Sequence, residues 1–539
     1  MKIETGNADR SGLRALKDLF LQPEMLLALG AVVAFAIFYD AVVAIKAMGP
    51  FGPLAIPLVA LGVCLVLPGP RSVDASPASN ILLRVVAPLL AIYAFAAPLS
   101  YPVGVTPEID TAATVLRWLA GLGLVAAVVV FWRPAFATVP ACVVLAGKAI
   151  GAEAFGIGIS QTDYIPVVEC ALFLGVAHSL LGEGLAARMR GLVKRFETLD
   201  VMRASTVLFV LAVGFHFSNY FYSGLQKVVL EGGPVLWVTD NPTHQLALNA
   251  AVGGFLPVAH WPGVRDLTLQ SATFLEPFIN VTILLGQLAA LVCIARRYSM
   301  IGVTLFYDLT HAVIFLVSGI FFWKWIIMNL ALVAGMRRLP GWVESRSVVV
   351  AGVLAVLFAP QAFNIVRLGW YDSPAVVLSE VVAVTEDGRE WTVPSNYFGT
   401  VSVTAAQSRM GRPDPGHYPT VTWGTTQEEA VFREAAADCR FAVERWQYPR
   451  TEEEIARIVR LIHAYALQRE AATGRYAYDL FPHHIWSNPF MFKEFAALPK
   501  SEISHYLYRV RSVCIRAQDG GIALREDRRD EFRIPVTRP

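Results

Sequence analysis

The chain has 539 residues, of which 55% are hydrophobic and 16% are charged, and its formal net charge is +2. About one-quarter of an average soluble chain is charged, so this composition excludes an ordinary soluble enzyme, and the high apolar content excludes a disordered chain. No Lys/Arg cluster interleaved with aromatic residues occurs in the sequence, which argues against nucleic acid as a partner.

The charged residues are unevenly distributed along the chain. They make up about 12% of residues 1–370 and about 26% of residues 371–539. The sequence therefore predicts a short cytoplasmic N-terminal segment at 1–24, a transmembrane domain at 25–370 and a soluble domain at 371–539.

The first part of the chain contains apolar runs long enough for membrane helices. A bilayer core of roughly 30 Å requires about 20 apolar residues per helix. The second and the tenth run are short, and they are either re-entrant or form one broken helix with a neighbour. The pattern predicts an all-α polytopic membrane bundle of about eleven helices. The runs are 25–45, 51–68, 81–100, 112–132, 135–155, 164–186, 204–229, 272–295, 301–321, 322–336 and 347–366.

Basic residues in the loops predict the orientation of these helices. Cytoplasmic loops collect Lys and Arg, and here such residues recur at every second loop. With eleven helices, the N-terminus lies inside and residues 371–539 lie outside a bacterial inner membrane. The basic positions are Lys2, Arg10, Arg14, Lys17, Arg71, Arg133, Arg188, Arg190, Lys194, Arg195, Arg296, Arg297, Arg337 and Arg338.

The last 169 residues have the pattern of a small α+β domain. Ala375–Val384 and the residues after Asp387-Gly388 indicate a β-hairpin, and residues 503–535 indicate a second one. Capping boxes predict helices that begin near Thr425 and near Thr451. Gly474 is placed to end the second of these helices.

Six cysteines are present, and none of them forms a CxxC pair, so the sequence signals neither zinc nor a thioredoxin-type site. Cys439 and Cys514 are the only two in the soluble domain. Outside the cytoplasm they either form a disulfide or remain two buried thiols. His483 and His484 are adjacent without an evident third ligand, so we expect no metal.

The polar side chains in the seventh predicted helix indicate a structural or functional role, because placing ionisable groups at bilayer depth costs free energy. His216, Tyr220, Ser223 and Lys227 are spaced by four, three and four residues and share one face, with Asn219 beside them. They form either a polar reaction cavity or a set of helix–helix hydrogen bonds with a lysine that reaches the membrane surface.

The ninth predicted helix carries Asp308 and His311 three residues apart. A carboxylate that orients an imidazole is a usual acid–base arrangement, and the alternative is a buried ion pair that fixes helix packing. Trp237 and Trp261, in the outer segment 231–271, suit an interfacial belt. Weaker candidates stand alone in the other helices: Asp40, Arg84, Lys148, Glu169, His178 and Glu276.

Three segments together resemble the superfamily of the vitamin K-dependent γ-glutamyl carboxylase, whose bacterial members are known as HTTM proteins. Asn219-Tyr-Phe-Tyr-Ser-Gly-Leu-Gln-Lys227 resembles its Tyr-Phe-x-x-Gly-x-x-Lys segment, and His311–Trp323 resembles its histidine-containing helix. Asp387-Gly-Arg-Glu-Trp-Thr-Val393 is similar to the start of its extracytoplasmic domain. The resemblance covers roughly residues 80–450.

The resemblance implies a membrane-embedded enzyme of the carboxylase/epoxidase type that uses a reduced quinone as cofactor and acts on a protein or peptide substrate. It places the catalytic base on Lys227 and a family histidine on His311. Gln226 replaces the first of two tandem lysines in the carboxylases, and no region for binding a substrate propeptide is recognisable. The rival interpretation is a non-enzymatic membrane protein, either a transporter or an assembly factor.

We therefore expect the catalytic groups Lys227, His216, His311 and Asp308 to share a cavity, with the quinone held by Asn219, Tyr220 and Ser223. An ammonium cannot abstract a proton, so a base at position 227 must be a neutral amine. The structural alternative is a charged Lys227 at the outer interface, paired with Glu231 one turn later.

Overall fold

A computed structural model describes residues 17–49, 51–157, 165–182, 199–411, 424–439, 450–478, 484–518 and 521–536. The basic group at 188–195 and His483 lie outside the described residues.

Each of the eleven predicted apolar runs contains a helix in the described structure. Within the described residues, seven helices are long and apolar enough to cross a membrane, and four further apolar helices are shorter. The chain is therefore mostly helical and of the membrane type. The helices are α1 Pro23–Lys46, α2 Gly52–Val66, α3 Pro77–Ala96, α4 Pro107–Val129, α5 Thr138–Phe155, α6 Ile165–Leu180, α7 Val201–Val229, α11 Glu276–Cys293, α12 Arg297–Ser318, α13 Trp323–Met336 and α14 Arg346–Phe358.

Helix α7 lies at the centre of the bundle. It has 29 residues, and it packs against α1, α3, α6, α11 and α14. Its apolar residues surround it on all sides, which is the pattern of a fully buried helix. Polar side chains on α7 are consequently held inside protein rather than against lipid.

Three short helices connect α7 to α11. They are α8 Gly233–Asp240, α9 Gln245–Val252 and α10 Pro262–Phe274. Trp237 on α8 is only 3% exposed, and its indole donates to the carbonyl of Trp370 at 2.8 Å. The prediction of an interfacial role for Trp237 is therefore wrong, because a buried hydrogen bond fixes this ring inside the protein.

The C-terminal module is built on a four-stranded antiparallel sheet in the order β2-β1-β3-β4. The strands are β1 Ala375–Thr385, β2 Glu390–Thr392, β3 Ile503–Gln518 and β4 Gly521–Pro535. The first hairpin is confirmed, since Gly388 adopts the positive φ of +80° that its turn requires. Both strands predicted for the second hairpin are also present.

Helices of different lengths accompany this sheet in the module: α15 Ser402–Ala406, α16 Glu429–Asp438, α17 Glu452–Thr473 and α18 Lys493–Ala497. The capping box of α17 at Thr451 and its end at Gly474 are confirmed. The cap predicted at Thr425 is wrong, because α16 begins at Glu429 without a side-chain cap. The neighbouring Thr426 instead pairs with Tyr371 in an isolated β-bridge.

The sheet packs onto one end of the helix bundle, which we call the module end. Tyr101, Leu116 and Phe155 at that end belong to the same hydrophobic cluster as Ile455 and Tyr506 of the module. Because one core crosses the boundary at residue 370, the module is fixed to the membrane helices rather than tethered to them.

Cys439 and Cys514, the pair considered from the sequence, form a disulfide with a Cα–Cα distance of 5.5 Å. The bond joins the end of α16 to strand β3. Both cysteines are buried, at 4% and 5% exposure.

Candidate functional site

Five polar residues meet where α7, α12 and α13 come together. We call this set the histidine cluster, and it consists of His216 and Tyr220 on α7, Asp308 and His311 on α12, and Asn329 on α13. The spacings of four and three residues place each pair on one helix face. His216 is 3% exposed, His311 6% and Asn329 0%, so the cluster is removed from solvent.

Asn329 is the centre of the hydrogen bonds in this cluster. Its Nδ2 donates to Asp308 Oδ1 at 2.7 Å and to the Tyr220 hydroxyl at 3.3 Å, and its Oδ1 lies 2.6 Å from His216 Nε2. With its NH₂ group facing Asp308 and Tyr220, Asn329 presents its amide oxygen to His216, and an amide oxygen only accepts hydrogen bonds. The Nε2 atom of His216 therefore carries a hydrogen, and Nδ1 keeps the lone pair of the neutral ring.

Aromatic rings surround these polar groups. Tyr220 stacks on Tyr307 with ring centroids 3.6 Å apart, and His311 stacks on Phe322 at 4.9 Å. Trp325 contacts the rings of both His216, at 5.4 Å, and His311, at 5.6 Å. The histidine cluster is therefore a small group of polar side chains surrounded by the rings of aromatic residues.

Three buried atoms of the cluster have no hydrogen-bond partner within the described part of the chain. They are Nδ1 of His216, Nδ1 of His311 and Oδ2 of Asp308. Most buried polar atoms in proteins are paired, and exceptions need an explanation such as a catalytic role or a ligand. Their concentration at one point identifies the histidine cluster as the candidate site.

The C-terminal module closes the cluster at the module end. The backbone N–H of Phe321 donates to the carbonyl of His484 at 2.7 Å, and the His484 ring lies 4.8 Å from that of Phe322. Gly319 ends α12 with a φ of +70°, and a Cβ at this position would lie 2.2 Å from the carbonyl oxygen of Phe255. Only glycine allows the chain to turn here and bring Phe322 back over His311.

Lys227 occupies a separate polar site on the same helix. Its Nζ donates to the carbonyl of Ser223 at 3.2 Å, to Gln287 Oε1 at 3.1 Å and to the carbonyl of Leu368. The side chain is 5% exposed. A protonated lysine has three N–H donors, and a neutral amine has two, so three acceptors suit an ammonium.

An aromatic ring and a buried carboxyl group also lie near the Lys227 amine. Its Nζ lies 5.1 Å from the centroid of Trp237. Asp372, in the segment after α14, is buried, which raises the pKa of its carboxyl to about 6 despite hydrogen bonds from Asn241 and Trp370 and the nearby charge of Lys227. The carboxylate of Glu231 accepts instead from the backbone of Glu429 at 3.0 Å.

The residues expected to hold a quinone divide between two roles. Asn219 Oδ1 accepts from the backbone of Val366 at 2.9 Å, and Ser223 Oγ accepts from that of Leu368 at 3.1 Å. Both therefore bond the extended chain that follows α14. Of the three residues expected to hold the quinone, only Tyr220 lies in the histidine cluster. The structure brings His216, His311 and Asp308 together there, whereas Lys227 has other partners.

Sequence reasoning missed several residues that shape these sites. Asn329 is a lone amide in an apolar helix, and that isolation was a usable signal because such residues are costly in a membrane. Lys324, 2% exposed, offered the same signal. Gln287 bonds to Lys227, and Asp372 lies within its electrostatic influence, only because of the packing of α11 and of the segment after α14, which no local pattern encodes.

Among the described residues, no group of three or more His, Cys, Asp or Glu is placed to hold a metal ion. No family model, curated protein or solved structure matches the chain.

We expect Lys227→Met to lower the thermal unfolding temperature of the detergent-purified protein. The change removes the lysine donor from Gln287 Oε1 and from the carbonyl of Leu368, and each such loss costs about 1–3 kcal/mol. The Ser223 carbonyl keeps its backbone partner within α7. The exposed Lys46→Met is the matched control and should leave the unfolding temperature unchanged. A Lys227→Met protein that is as stable as the parent but has lost quinone-dependent turnover would contradict the anchoring role and favour a base.

Proposed function

We propose that the chain is a membrane-embedded enzyme that acts with a reduced quinone and uses the histidine cluster as its acid–base site. The observation that carries this proposal is the set of three buried polar atoms, among aromatic rings of apolar helices, that find no partner in the described part of the chain. Buried ionisable groups in membrane proteins commonly mark proton or substrate pathways.

The residues present fit the headgroup of a quinone. It is a flat ring that carries oxygen atoms, and its tail is apolar. His311 Nδ1 and Asp308 Oδ2 are free to hydrogen-bond such oxygens, and Phe322 and Trp325 offer ring faces. Helix α12 is largely exposed on its other side, so a lipid-phase molecule can approach it from the bilayer.

The cluster has a division of roles. When bound, a reduced quinone supplies an acidic hydroxyl and two electrons. His216 Nδ1 is the proton acceptor, because Asn329 fixes the tautomer that leaves its lone pair free. Asp308 is held by Asn329 and stabilises positive charge that develops on the neighbouring imidazoles. The aromatic rings exclude water from these groups.

The family resemblance assigns the base to Lys227, and the three acceptors around its amine favour an ammonium instead. The three acceptors around the Lys227 amine support the rival function, a non-enzymatic membrane protein in which Lys227 anchors the chain after α14. The two functions differ in whether the histidine cluster binds a quinone.

Equilibrium binding of a radiolabelled short-chain ubiquinone to the full-length protein in lipid nanodiscs tests the proposal. We expect saturable binding in excess of empty nanodiscs, and loss of that binding in His311→Leu. His178→Leu is the control, since His178 is also fully buried but bonds the carbonyl of Leu174 on its own helix. Unsaturable binding, or equal binding in all three proteins, would favour the non-enzymatic function.

We further propose that residues 371–539 lie outside the cytoplasm of a bacterial inner membrane, which rests on the alternation of basic loops. Alkaline phosphatase fused after Trp370 should be active, and a fluorescent protein fused there should stay dark. A fusion after Lys46, one predicted helix from the N-terminus, should also support phosphatase activity. The reverse result at Trp370 would mean that an even number of helices precedes the module.

A further inference from the structure

Helix α10 carries apolar side chains on its outward face. None of its 13 residues is buried. Val264, Leu267 and Phe274 are 45%, 63% and 83% exposed, and their spacing of three and seven residues places them on one side of the helix. A helix on the surface of a water-soluble protein shows the opposite arrangement, with its polar side outward. The outward face of α10 therefore fits an apolar environment better than water.

The charged residues of α10 lie away from this apolar face. By helix geometry, Arg265 and Asp266 are each more than about 100° around the helix from the middle of the face. They bond each other, with Arg265 Nη2 2.8 Å from Asp266 Oδ1, and charged side chains near lipid commonly pair in this way. The polar residues within or beside the face, Gln270 and Ser271, are uncharged. The outward surface of α10 is consequently apolar and without charge.

The opposite side of α10 packs on the C-terminal module. Leu269 packs against a hydrophobic cluster that includes Leu248 of α9, Val376 of β1 and Val513 of β3. Leu269 lies about 160° around the helix from Leu267, so the apolar face is directed away from the module. Helix α10 thus lies between the sheet of the module and the surroundings that cover this face.

The apolar face of α10 continues into the exposed side of α11. Only Leu275, itself 43% exposed, separates the two helices. Phe278 and Leu285 on α11 are 67% and 61% exposed, and α11 is one of the helices that are long and apolar enough to cross a membrane. The exposed side of such a helix faces lipid, and Phe274 comes four residues before Phe278. The lipid around α11 is therefore the nearest apolar environment for α10.

We propose that α10 is an interfacial helix, which lies on the membrane leaflet nearest the module and inserts Val264, Leu267 and Phe274 among the lipid acyl chains. Helices of this kind bury their apolar face roughly 5–10 Å into the boundary between headgroups and acyl chains. Trp261, the N-cap residue of α10, is 55% exposed and suits the headgroup level. Through Leu269, the bilayer surface supports the module. The inference does not depend on the quinone function.

Site-directed spin labelling of the full-length protein in nanodiscs tests this placement. Leu267→Cys and Phe274→Cys carry the label on the apolar face. Thr273→Cys, exposed on another side of α10, is the matched control, and the labelled parent gives the background from the native cysteines. We expect the labels at positions 267 and 274 to collide more often with oxygen, which concentrates in lipid, than with a water-soluble nickel chelate. The label at position 273 should show the reverse preference.

Two results of this experiment would contradict the proposal. Labels at positions 267 and 274 that prefer the nickel chelate, as the control does, would show that the face lies in water. Protection of both labels from both reagents would show that a protein surface, such as a second copy of the chain, covers the face in place of lipid.

Limited proteolysis in nanodiscs provides a second measurement. Trypsin cleavage after Arg265, followed by mass spectrometry, requires α10 to leave the membrane surface and unwind. The double variant Leu267→Glu, Phe274→Glu places two carboxylates among acyl chains, so we expect cleavage about tenfold faster than in Thr273→Glu. Thr273→Glu should be cleaved at the rate of the parent. Equal cleavage rates in the double variant and in Thr273→Glu would overturn the proposal, whatever the outcome of the quinone-binding experiment.

Discussion

Substituting His216 by glutamine should lower quinone-dependent turnover by about 10²- to 10⁴-fold, which is the usual contribution of a positioned acid–base group. Glutamine can still donate to Asn329, so the contact between α7 and α13 is preserved. Its amide cannot accept a proton from a reacting group. The family resemblance implies that oxygen oxidises the reduced quinone, so oxygen uptake by nanodisc-embedded protein after addition of a reduced short-chain quinone measures the effect.

The control for this experiment is His178→Gln, which changes a buried histidine outside the cluster. It should retain the turnover and the unfolding temperature of the parent. His216→Gln should also retain the unfolding temperature, since its hydrogen bond is replaced. Unchanged oxygen uptake in His216→Gln would show that the lone pair of Nδ1 is not used.

Removing the disulfide by Cys439→Ala and Cys514→Ala should destabilise the C-terminal module by about 4 kcal/mol on the chain-entropy model. The bond closes a loop with a sequence separation of 75 residues, so its loss frees a large part of the unfolded chain. Resistance of the module to limited proteolysis in urea measures the change. Cys142→Ala, which alters a free buried cysteine, is the control.

Reductant supplies a second check on this prediction. It should lower the resistance of the parent protein to the level of the double variant and should not affect the double variant further. A parent and a double variant that are cleaved at the same urea concentration would show that the bond does not stabilise the module.

Hydropathy predicted the helices well because the apolar runs needed for a membrane are long and hard to mistake. The turn residues Asp387-Gly388 and the capping box at Thr451 also located elements of the module correctly, because both signals depend only on neighbouring residues. The cap predicted at Thr425 failed because pairing between Thr426 and Tyr371, far apart in sequence, overrides a local preference.

The site was predictable only in part. Helical spacing correctly placed His216 with Tyr220 and Asp308 with His311, but spacing does not reveal which helices meet. Asn329 on α13 joins the two pairs. Lys227 lies about 10 Å beyond Tyr220 along α7 by helix geometry, and it reaches Gln287 and the chain after α14 instead. The division into two sites arises from tertiary packing alone.

Photolabelling with an azido-substituted quinone tests the central claim most directly, since it reports where a quinone headgroup lies in the full-length protein. We expect labelled peptides from α12 and α13, around His311 and Trp325, with labelling suppressed by excess unmodified quinone and absent in His311→Leu. Labelling confined to the lipid-exposed residues Phe278 and Leu285 of α11, without competition by unmodified quinone, would contradict it.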